Sequence, residues 1–212
     1  MIPLILKLKK KAHKDIAAAQ DLLVQEMYNV FGNAVLHGGT AIWRCYNGNR
    51  FSEDVDVYLN KDLGKINLFF GNLEKKGFII MKKKVGENSI FSNLEINRSS
   101  VRFEALFKSK NGVLKEYETV EGNLITVYTL TPEELIGEKV EAYLKRLKIR
   151  DLYDIFFLLR YVQNKDKIRD KIQMLIKEFK NPTDEKELRV LILEGLVPDV
   201  EKMLDYIKHY RL

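Results

Sequence analysis

Apolar and polar residues recur with two different periods along this chain, and the period changes near residue 130. Between residues 11 and 31, apolar side chains return every three or four positions, which predicts one long amphipathic helix. A short apolar run at 34–36 predicts a buried strand, and 41–46 predicts a short helix. Further strands are predicted at 50–59, 77–85, 89–96, 99–108 and 124–130, with helix or loop in the linkers 60–76 and 111–122.

The second part of the chain reads as helix throughout. Thr131, Pro132 and Glu134 form a strong helix start, with Thr as the N-cap, Pro at the first helical position and Glu three residues after the cap. Helices are predicted over 132–148, 151–163, 165–179, 184–195 and 198–210. Because strands come first and helices follow, we predict an α+β protein with an α/β domain at 1–130 and a helical domain at 131–212.

Composition narrows the class of protein. The 212 residues include 46% hydrophobic residues and carry a formal net charge of +6, which is compatible with a nucleic-acid partner. No apolar run is long enough for a membrane helix, so no membrane association is expected. The lone Cys45 fits a reducing compartment, and we predict a cytoplasmic protein. The three histidines do not cluster, which argues against zinc.

Two aspartates are the most informative residues of the predicted strand 50–59. In a strand, Arg50, Ser52, Asp54 and Asp56 would share one face, opposite an apolar face. Carboxylates two residues apart repel each other unless a cation lies between them, and hard oxygen ligands suit Mg²⁺ bound together with substrate phosphates. A metal-assisted phosphoryl or nucleotidyl transfer is one interpretation; a solvent-facing strand edge is the other.

A glycine turn precedes this strand. Gly38, Gly39 and Thr40 lie between the predicted strand 34–36 and the short helix, where backbone N–H groups can approach a phosphate. A Gly-Gly pair alone is usually a tight turn. The order strand, Gly-Gly-Thr, helix, strand with two aspartates is what suggests a phosphate site beside metal ligands. The phosphate-loop pattern of Walker-type NTPases is absent.

A two-metal transfer usually needs a third carboxylate from a neighbouring strand. In the predicted strand 99–108, alternation places Arg102 and Glu104 opposite the apolar face. Glu104 is the candidate, Glu95 in the preceding strand is the second choice, and a surface ion pair between Arg102 and Glu104 is the structural alternative.

These motifs together resemble a known family. The runs Gly38-Gly39-Thr40-Ala41 and Arg50-Phe51-Ser52-Glu53-Asp54-Val55-Asp56 are similar to the signature of the AbiEii/AbiGii toxin-type nucleotidyltransferases, members of the DNA polymerase β-like superfamily. The resemblance continues in Pro132-Glu133-Glu134-Leu135, in Glu138-Lys139 and in Arg150-Asp151-Leu152-Tyr153-Asp154, and it covers about residues 30–160. Most superfamily members have Gly-Ser where this chain has Gly39-Thr40, the form typical of the AbiEii branch.

The resemblance implies a nucleotidyltransferase-type mixed sheet with flanking helices, followed by a helical bundle. It also implies site residues. Asp54, Asp56 and Glu104 would hold Mg²⁺, with Mn²⁺ as the alternative. The groups expected to bind the nucleotide are Gly38, Gly39, Thr40, Arg50, Ser52 and Lys139.

Two groups in the helical part have a structural alternative. Lys139 lies within the apolar stripe of its helix, where it would either contact phosphates or extend its amine to water. Asp151 is a candidate catalytic acid by resemblance, although an acid in a first helical turn also suits the helix dipole. Asp154 is expected to be structural.

The expected activity is transfer of NMP from an NTP such as ATP, GTP or CTP to a hydroxyl. The resemblance favours RNA as the acceptor, at the 3′ end of tRNA. It also implies that the protein is the toxin-like component of a toxin–antitoxin or abortive-infection system and has a cognate antitoxin. Two alternatives stay open at this point: an acceptor on a protein side chain or small molecule, and a degenerate module that binds NTP or acts as an antitoxin without catalysis.

Overall fold

The structure is a computed structural model that describes residues 3–210. Its fold divides into two compact units. The first comprises Met1–Asn47 and Phe51–Thr129, and the second comprises Gly48–Arg50 and Leu130–Leu212. The chain therefore leaves the first unit for three residues, returns to complete it, and leaves again for the helical part.

The first unit is built on a mixed sheet, which within the described residues has seven strands. Its elements in chain order are α1 (Leu4–Lys7), α2 (Lys11–Val30), β1 (Val35–His37), α3 (Gly38–Cys45), β2 (Asp54–Leu59), α4 (Leu63–Lys75), β3 (Ile79–Val85), β4 (Ser89–Ile96), β5 (Ser99–Phe107), β6 (Val113–Glu118) and β7 (Leu124–Thr129). The strand order is β3-β4-β5-β2-β1-β7-β6. The pairs β2–β5 and β1–β7 are parallel and the other neighbours are antiparallel.

One face of this sheet is the main hydrophobic core. Val55 and Val57 of β2 and Phe103 of β5 are fully buried on it. Helices α2 and α4 supply the opposing layer, with Met27 and Phe69 among the residues that are completely inaccessible to solvent. Each such side chain contributes about 1.5–3 kcal/mol relative to an exposed position, so the apolar face determines which way each strand is turned.

A buried arginine fixes helix α3. The guanidinium of Arg44 lies 3.2 Å from the carboxylate of Asp21 on α2. It also donates to the carbonyl oxygens of Ala17 and Glu118, both at 3.0 Å. Because a buried cation is costly unless it is paired, these bonds hold α3 between α2 and β6 and position the turn that precedes α3.

The second unit is helical. Its elements are α5 (Pro132–Arg146), α6 (Ile149–Leu158), a 3₁₀ turn (Leu159–Tyr161), α7 (Asp166–Glu178), a 3₁₀ turn (Glu185–Glu187), α8 (Leu188–Leu191) and α9 (Val200–His209). Thr131 and Glu134 form the reciprocal capping box at the start of α5. Buried apolar residues on α5, α6, α7 and α9 form the core of this unit: Leu135, Ile136, Val140, Leu152, Ile155, Ile168, Ile172, Leu175, Met203 and Ile207.

The α+β class, with a mixed sheet followed by helices, is confirmed, as are the long first helix and the helix start at Thr131. Three predicted elements are wrong. Residues 50–53 do not belong to a strand, because β2 begins at Asp54. The linker 111–122 contains β6, and 184–195 forms two short turns of helix instead of one long helix.

Other differences are smaller: α3 begins at Gly38 rather than at residue 41, β1 is shifted by one residue, α6 ends at Leu158 rather than at residue 163, and the short helix α1 was not predicted.

None of the helices in residues 3–210 combines the length and the apolar character needed to cross a membrane.

Candidate active site

The first turn of α3, which follows β1 directly, lies against the strand that carries the aspartates. Gly38 has a φ of +70°, a conformation that residues with a side chain rarely adopt. A Cβ atom at this position would overlap the carboxylate of Asp56. Glycine is therefore needed at residue 38 both for the backbone conformation and for the space that Asp56 occupies.

Three acids project from the polar face of neighbouring strands. In the sheet register, Asp56 lies between His37 of β1 and Glu104 of β5. Asp54 lies two residues before Asp56 on the same face and is the partner of Arg102. Neighbouring strands are about 4.8 Å apart and alternate residues about 6.6 Å apart, so the three carboxylates begin from adjacent backbone positions.

Arg102 neutralises part of this acid cluster. Its guanidinium is paired with Asp54, and its Nε lies 2.9 Å from an oxygen of Glu104. The side chains are partly open to solvent, with 23% of Asp54 and 41% of Glu104 exposed. Among residues 3–210, no three acid, histidine or cysteine side chains are grouped closely enough to hold a metal ion. In this conformation the carboxylates are thus held by Arg102.

The acids influence one another electrostatically. Partial burial raises the pKa of Glu104 above its ordinary value. Attraction to Arg102 opposes this increase, and repulsion from Asp56 and Asp54 adds to it. Glu104 therefore accepts a proton more readily than an ordinary glutamate, and an additional cation would relieve the repulsion.

Contacts of Thr40 and Ser52 hold the start of β2 in place. The hydroxyl of Thr40 donates a hydrogen bond to the backbone carbonyl of Asp54, and Thr40 is fully buried. The carbonyl of Ser52 accepts a bond from the Gln20 amide at 2.9 Å. Thr40 therefore positions Asp54, and its contact with a nucleotide stays a prediction.

A second charged cluster lies in the helical unit. Arg50 binds Asp154 through two bonds of 2.8 Å, and the amine of Lys139 lies 2.7 Å from Asp154 and 3.4 Å from Asp151. Arg146 pairs with Asp151 at 2.7 Å. Asp151 and Asp154 are almost completely buried, so these pairs must satisfy them. Burial alone would raise the pKa of Asp154, but the attraction of Arg50 and Lys139 outweighs it and lowers that pKa.

The structure thus separates the predicted site residues into two groups. The first unit brings together Asp54, Asp56 and Glu104 with the glycine turn, whereas Glu95 pairs with Ser100, away from Asp56.

The second unit holds Arg50, Lys139 and Asp151 in the buried cluster. Each has a charged partner there, and their contacts with a nucleotide stay predictions. Arg102 was predicted to pair only with Glu104. Its contact with Asp54 depends on the register of β2 and β5, which the sequence alone does not show.

Comparisons with known proteins identify a family and a shared fold. The family model of the nucleotidyl transferase AbiEii toxin, of the type IV toxin–antitoxin system, matches residues 21–207. Among curated proteins, no sequence matches the chain.

Solved structures share the fold. MenT4, a nucleotidyltransferase toxin from Mycobacterium tuberculosis H37Rv, is 15% identical, with a TM-score of 0.65 over 94% of this chain and 82% of that chain. JHP933 from Helicobacter pylori is 18% identical, with a TM-score of 0.58 over 92% of this chain and 89% of that chain. At these identities the likeness concerns the fold alone.

The glycine requirement can be tested by stability. Gly38→Ala should lower the free energy of unfolding by about 1–2 kcal/mol for the left-handed backbone alone, and by more because of the overlap with Asp56. Gly71→Ala in α4 is the matched control. Nothing lies near its added methyl, so it should stabilise the helix by up to about 1 kcal/mol. Urea unfolding gives both values, and equal stability of Gly38→Ala and the wild type would contradict the assignment.

The buried cluster predicts a pH-dependent stability. Because the pKa of Asp154 in the folded protein lies below its ordinary value of 3.8, its stabilisation is complete above that pH and is lost as the pH falls through the lowered pKa. At neutral pH, Asp154→Asn should cost about 3–5 kcal/mol, since it leaves buried cations without their anion.

Thermal or urea unfolding across a pH series measures this effect. The difference between the wild type and Asp154→Asn should shrink below pH 3.8. Asp166→Asn, which removes an exposed partner of Arg169, should cost far less at every pH. A difference that is independent of pH would show that the charge of Asp154 is not what stabilises this unit.

Proposed function

The chain belongs to the AbiEii family of nucleotidyl transferase toxins, and we propose that it transfers a nucleoside monophosphate from an NTP to a hydroxyl of RNA in the presence of Mg²⁺. The proposed acceptor is the hydroxyl at the 3′ end of tRNA. The observation that carries this proposal is the register that places Asp56 beside Glu104, two residues from Asp54 and against the Gly38 turn.

The chemistry of the donor set suits a divalent cation that would replace Arg102 as the partner of the acids. Asp54, Asp56 and Glu104 offer carboxylate oxygens, the ligands that Mg²⁺ prefers, from adjacent backbone positions. Arg102 already provides positive charge at Asp54 and Glu104. Repulsion from Asp56 and Asp54 still contributes to the raised pKa of Glu104, so a further cation would be stabilised here. When bound, Mg²⁺ would neutralise phosphate charge and help align the reacting oxygens. Mn²⁺ has the same ligand preference and would serve as the alternative.

The start of α3 would bind the phosphates. The N-cap residue His37 makes no side-chain cap to the first turn, so the backbone amides of that turn are not capped by it. Gly38 and Gly39 add no side chain that would keep a triphosphate away. The positive end of the helix favours an anion at this position. Ser52, at the entry to β2, would lie at the edge of this phosphate site.

Glu104 would orient and deprotonate the acceptor hydroxyl. In the transfer, the hydroxyl oxygen forms a bond to the α-phosphorus of the NTP, and the bond from that phosphorus to the pyrophosphate oxygen breaks. The hydroxyl proton passes to a carboxylate, and pyrophosphate leaves with the electron pair. Glu104 lies opposite Asp56 in the sheet register and 41% of its side chain is exposed, so it can reach an acceptor hydroxyl that approaches from solvent.

RNA is the acceptor that the charge of the chain favours. The net charge is +6 and the pI is about 9.1, and a basic protein attracts the phosphate backbone of a nucleic acid. The family description includes a toxin–antitoxin system, so we also propose a cognate antitoxin as the biological partner and a cytoplasmic site of action.

A labelling experiment tests the reaction. Each α-³²P NTP is incubated with Mg²⁺, total RNA and protein, and the products are separated on a gel. The wild type should label a small RNA, and Asp56→Asn should reduce the label by at least about 10²-fold, because one central carboxylate is lost. Glu53→Gln, a neighbouring exposed acid outside the cluster, is the matched control and should retain activity.

The products separate the alternatives. If protein is labelled instead of RNA, the acceptor is a protein side chain. If a small molecule is labelled, the acceptor is that small molecule. Absence of any label with every NTP, despite a folded protein, would contradict the proposed reaction.

Arg102 predicts a change in metal affinity. Arg102→Gln removes both ion pairs, so the carboxylates are free to bind a cation. Because exposed ion pairs contribute up to about 1 kcal/mol each, the loss of both pairs should let Mn²⁺ bind up to about thirtyfold more tightly. Isothermal titration of the wild type and variant measures this. Arg98→Gln, in the exposed β4–β5 turn, is the control for net charge. Weaker binding to Arg102→Gln alone would show that Arg102 supports the metal site.

A further inference from the structure

A cavity lies in the first unit at the end of β2 that is remote from Asp54. Its volume is about 420 Å³, within the range of small-ligand sites. The end of β2 supplies Tyr58 and Asn60, the segment after β5 supplies Lys108 through Gly112, and β7 supplies Tyr128. None of the residues assigned above to the reaction lines this cavity.

The lining has the chemistry of a nucleotide site. Of the described residues that form it, two are lysines, three are asparagines, two are tyrosines and none is a carboxylate. Lysine side chains attract phosphates, aromatic rings stack on bases, and side-chain amides form hydrogen bonds with base edges. The amine of Lys110 lies 5.9 Å from the centre of the Tyr58 ring, which is only 7% exposed. Tyr128 is partly exposed and is the ring on which a base can stack.

The segment from Lys108 to Gly112 is fixed because its backbone lies directly against the sheet at Gly112. A Cβ at Gly112 would lie 2.9 Å from the Cβ of Tyr128 and 3.1 Å from a methyl of Val35. Glycine at residue 112 therefore lets this segment lie directly on the sheet. As a result, Lys108 and Lys110 are held at the edge of the cavity by the packing of the segment and not by a long flexible loop.

The cavity is connected to the acids along one strand. Tyr58 follows Asp56 by two residues and projects from the same polar face, about 6.6 Å further along β2. The Tyr58 ring stacks on the His37 ring with centroids 4.1 Å apart and an angle of 14° between the planes. His37 is also the register partner of Asp56. An unbroken row of side chains therefore leads from the acid cluster to the cavity.

We propose that this cavity, termed the Tyr58 pocket, binds the acceptor strand of RNA at the nucleotide that precedes the reactive hydroxyl. This inference rests on the proposed function, since it names where that acceptor binds. Gly38 and Thr40 contact Asp56 and Asp54 from α3, on the side assigned to the triphosphate. The Tyr58 pocket begins in the opposite direction along β2, which leaves it for the second substrate.

The experiment measures RNA and NTP binding separately on the full chain. The RNA probe is a short single-stranded oligoribonucleotide with a free 3′-hydroxyl and a 5′ fluorescein, followed by anisotropy at several salt concentrations. The NTP probe is a non-hydrolysable analogue with Mg²⁺, followed by isothermal titration. The test variant is Lys108→Ala with Lys110→Ala. The matched control is Lys65→Ala with Lys75→Ala, two exposed lysines on α4 with the same loss of charge.

The pocket variant should bind the RNA about tenfold more weakly. The slope of log affinity against log salt should fall by about 1.4, because each lost phosphate contact with a single strand removes about 0.7. Its affinity for the NTP analogue should be unchanged, and the α4 control should retain both affinities.

The other outcomes overturn the proposal in distinguishable ways. Equal RNA affinity of the pocket variant and the control, while the wild type still labels RNA, rejects the Tyr58 pocket and keeps the proposed function. Loss of NTP affinity in the pocket variant assigns the cavity to the NTP. A wild type that binds the NTP analogue but no RNA, or that labels only protein, rejects both the RNA acceptor and its pocket.

Discussion

The register of three neighbouring strands is the constraint on which this site depends. A strand exposes alternate residues on opposite faces, so a shift of β2 by one residue would move Asp54 and Asp56 into the core and Val55 and Val57 out of it. The two valines are fully buried, and their burial therefore fixes the direction of the acids. The chemistry of the polar face is positioned by packing on the other face. Gly38 completes the arrangement, because only a residue without a side chain leaves room for the Asp56 carboxylate.

The two charged clusters contain the same residue types but differ in burial and in role. In the first unit the acids are partly exposed, with 23% of Asp54 and 41% of Glu104 accessible, and a single arginine holds them. In the second unit Asp151 and Asp154 are at most 1% exposed and have several cations around them. Partly hydrated ion pairs exchange partners at little cost, whereas buried ones do not. The first cluster is thus suited to bind a ligand, and the second is suited to hold helices together.

Much of the fold followed from local patterns, and the failures have a common physical cause. The capping box at Thr131, the long helix α2 and the alternation that aligned Asp54 with Asp56 are visible within short stretches. The predicted strand from residue 50 was wrong because Arg50 pairs with Asp154, and the predicted helix 184–195 ended early because Ile192 leaves it to pair with Arg50. These pairings join positions far apart in sequence. Strand β6 was missed because its first four residues are all exposed, so no alternation marks it.

The three residues Gly48–Arg50 interrupt the first unit in sequence while belonging to the second. The boundary between the units therefore cannot be drawn as a single cut. A fragment that ended near residue 130 would keep Arg50 without Asp154, and the complementary fragment would bury Asp154 without that arginine. During evolution, a recombination event could therefore exchange the helical part between relatives only if the recipient kept an arginine at the position of Arg50 and the donor supplied an acid at the position of Asp154.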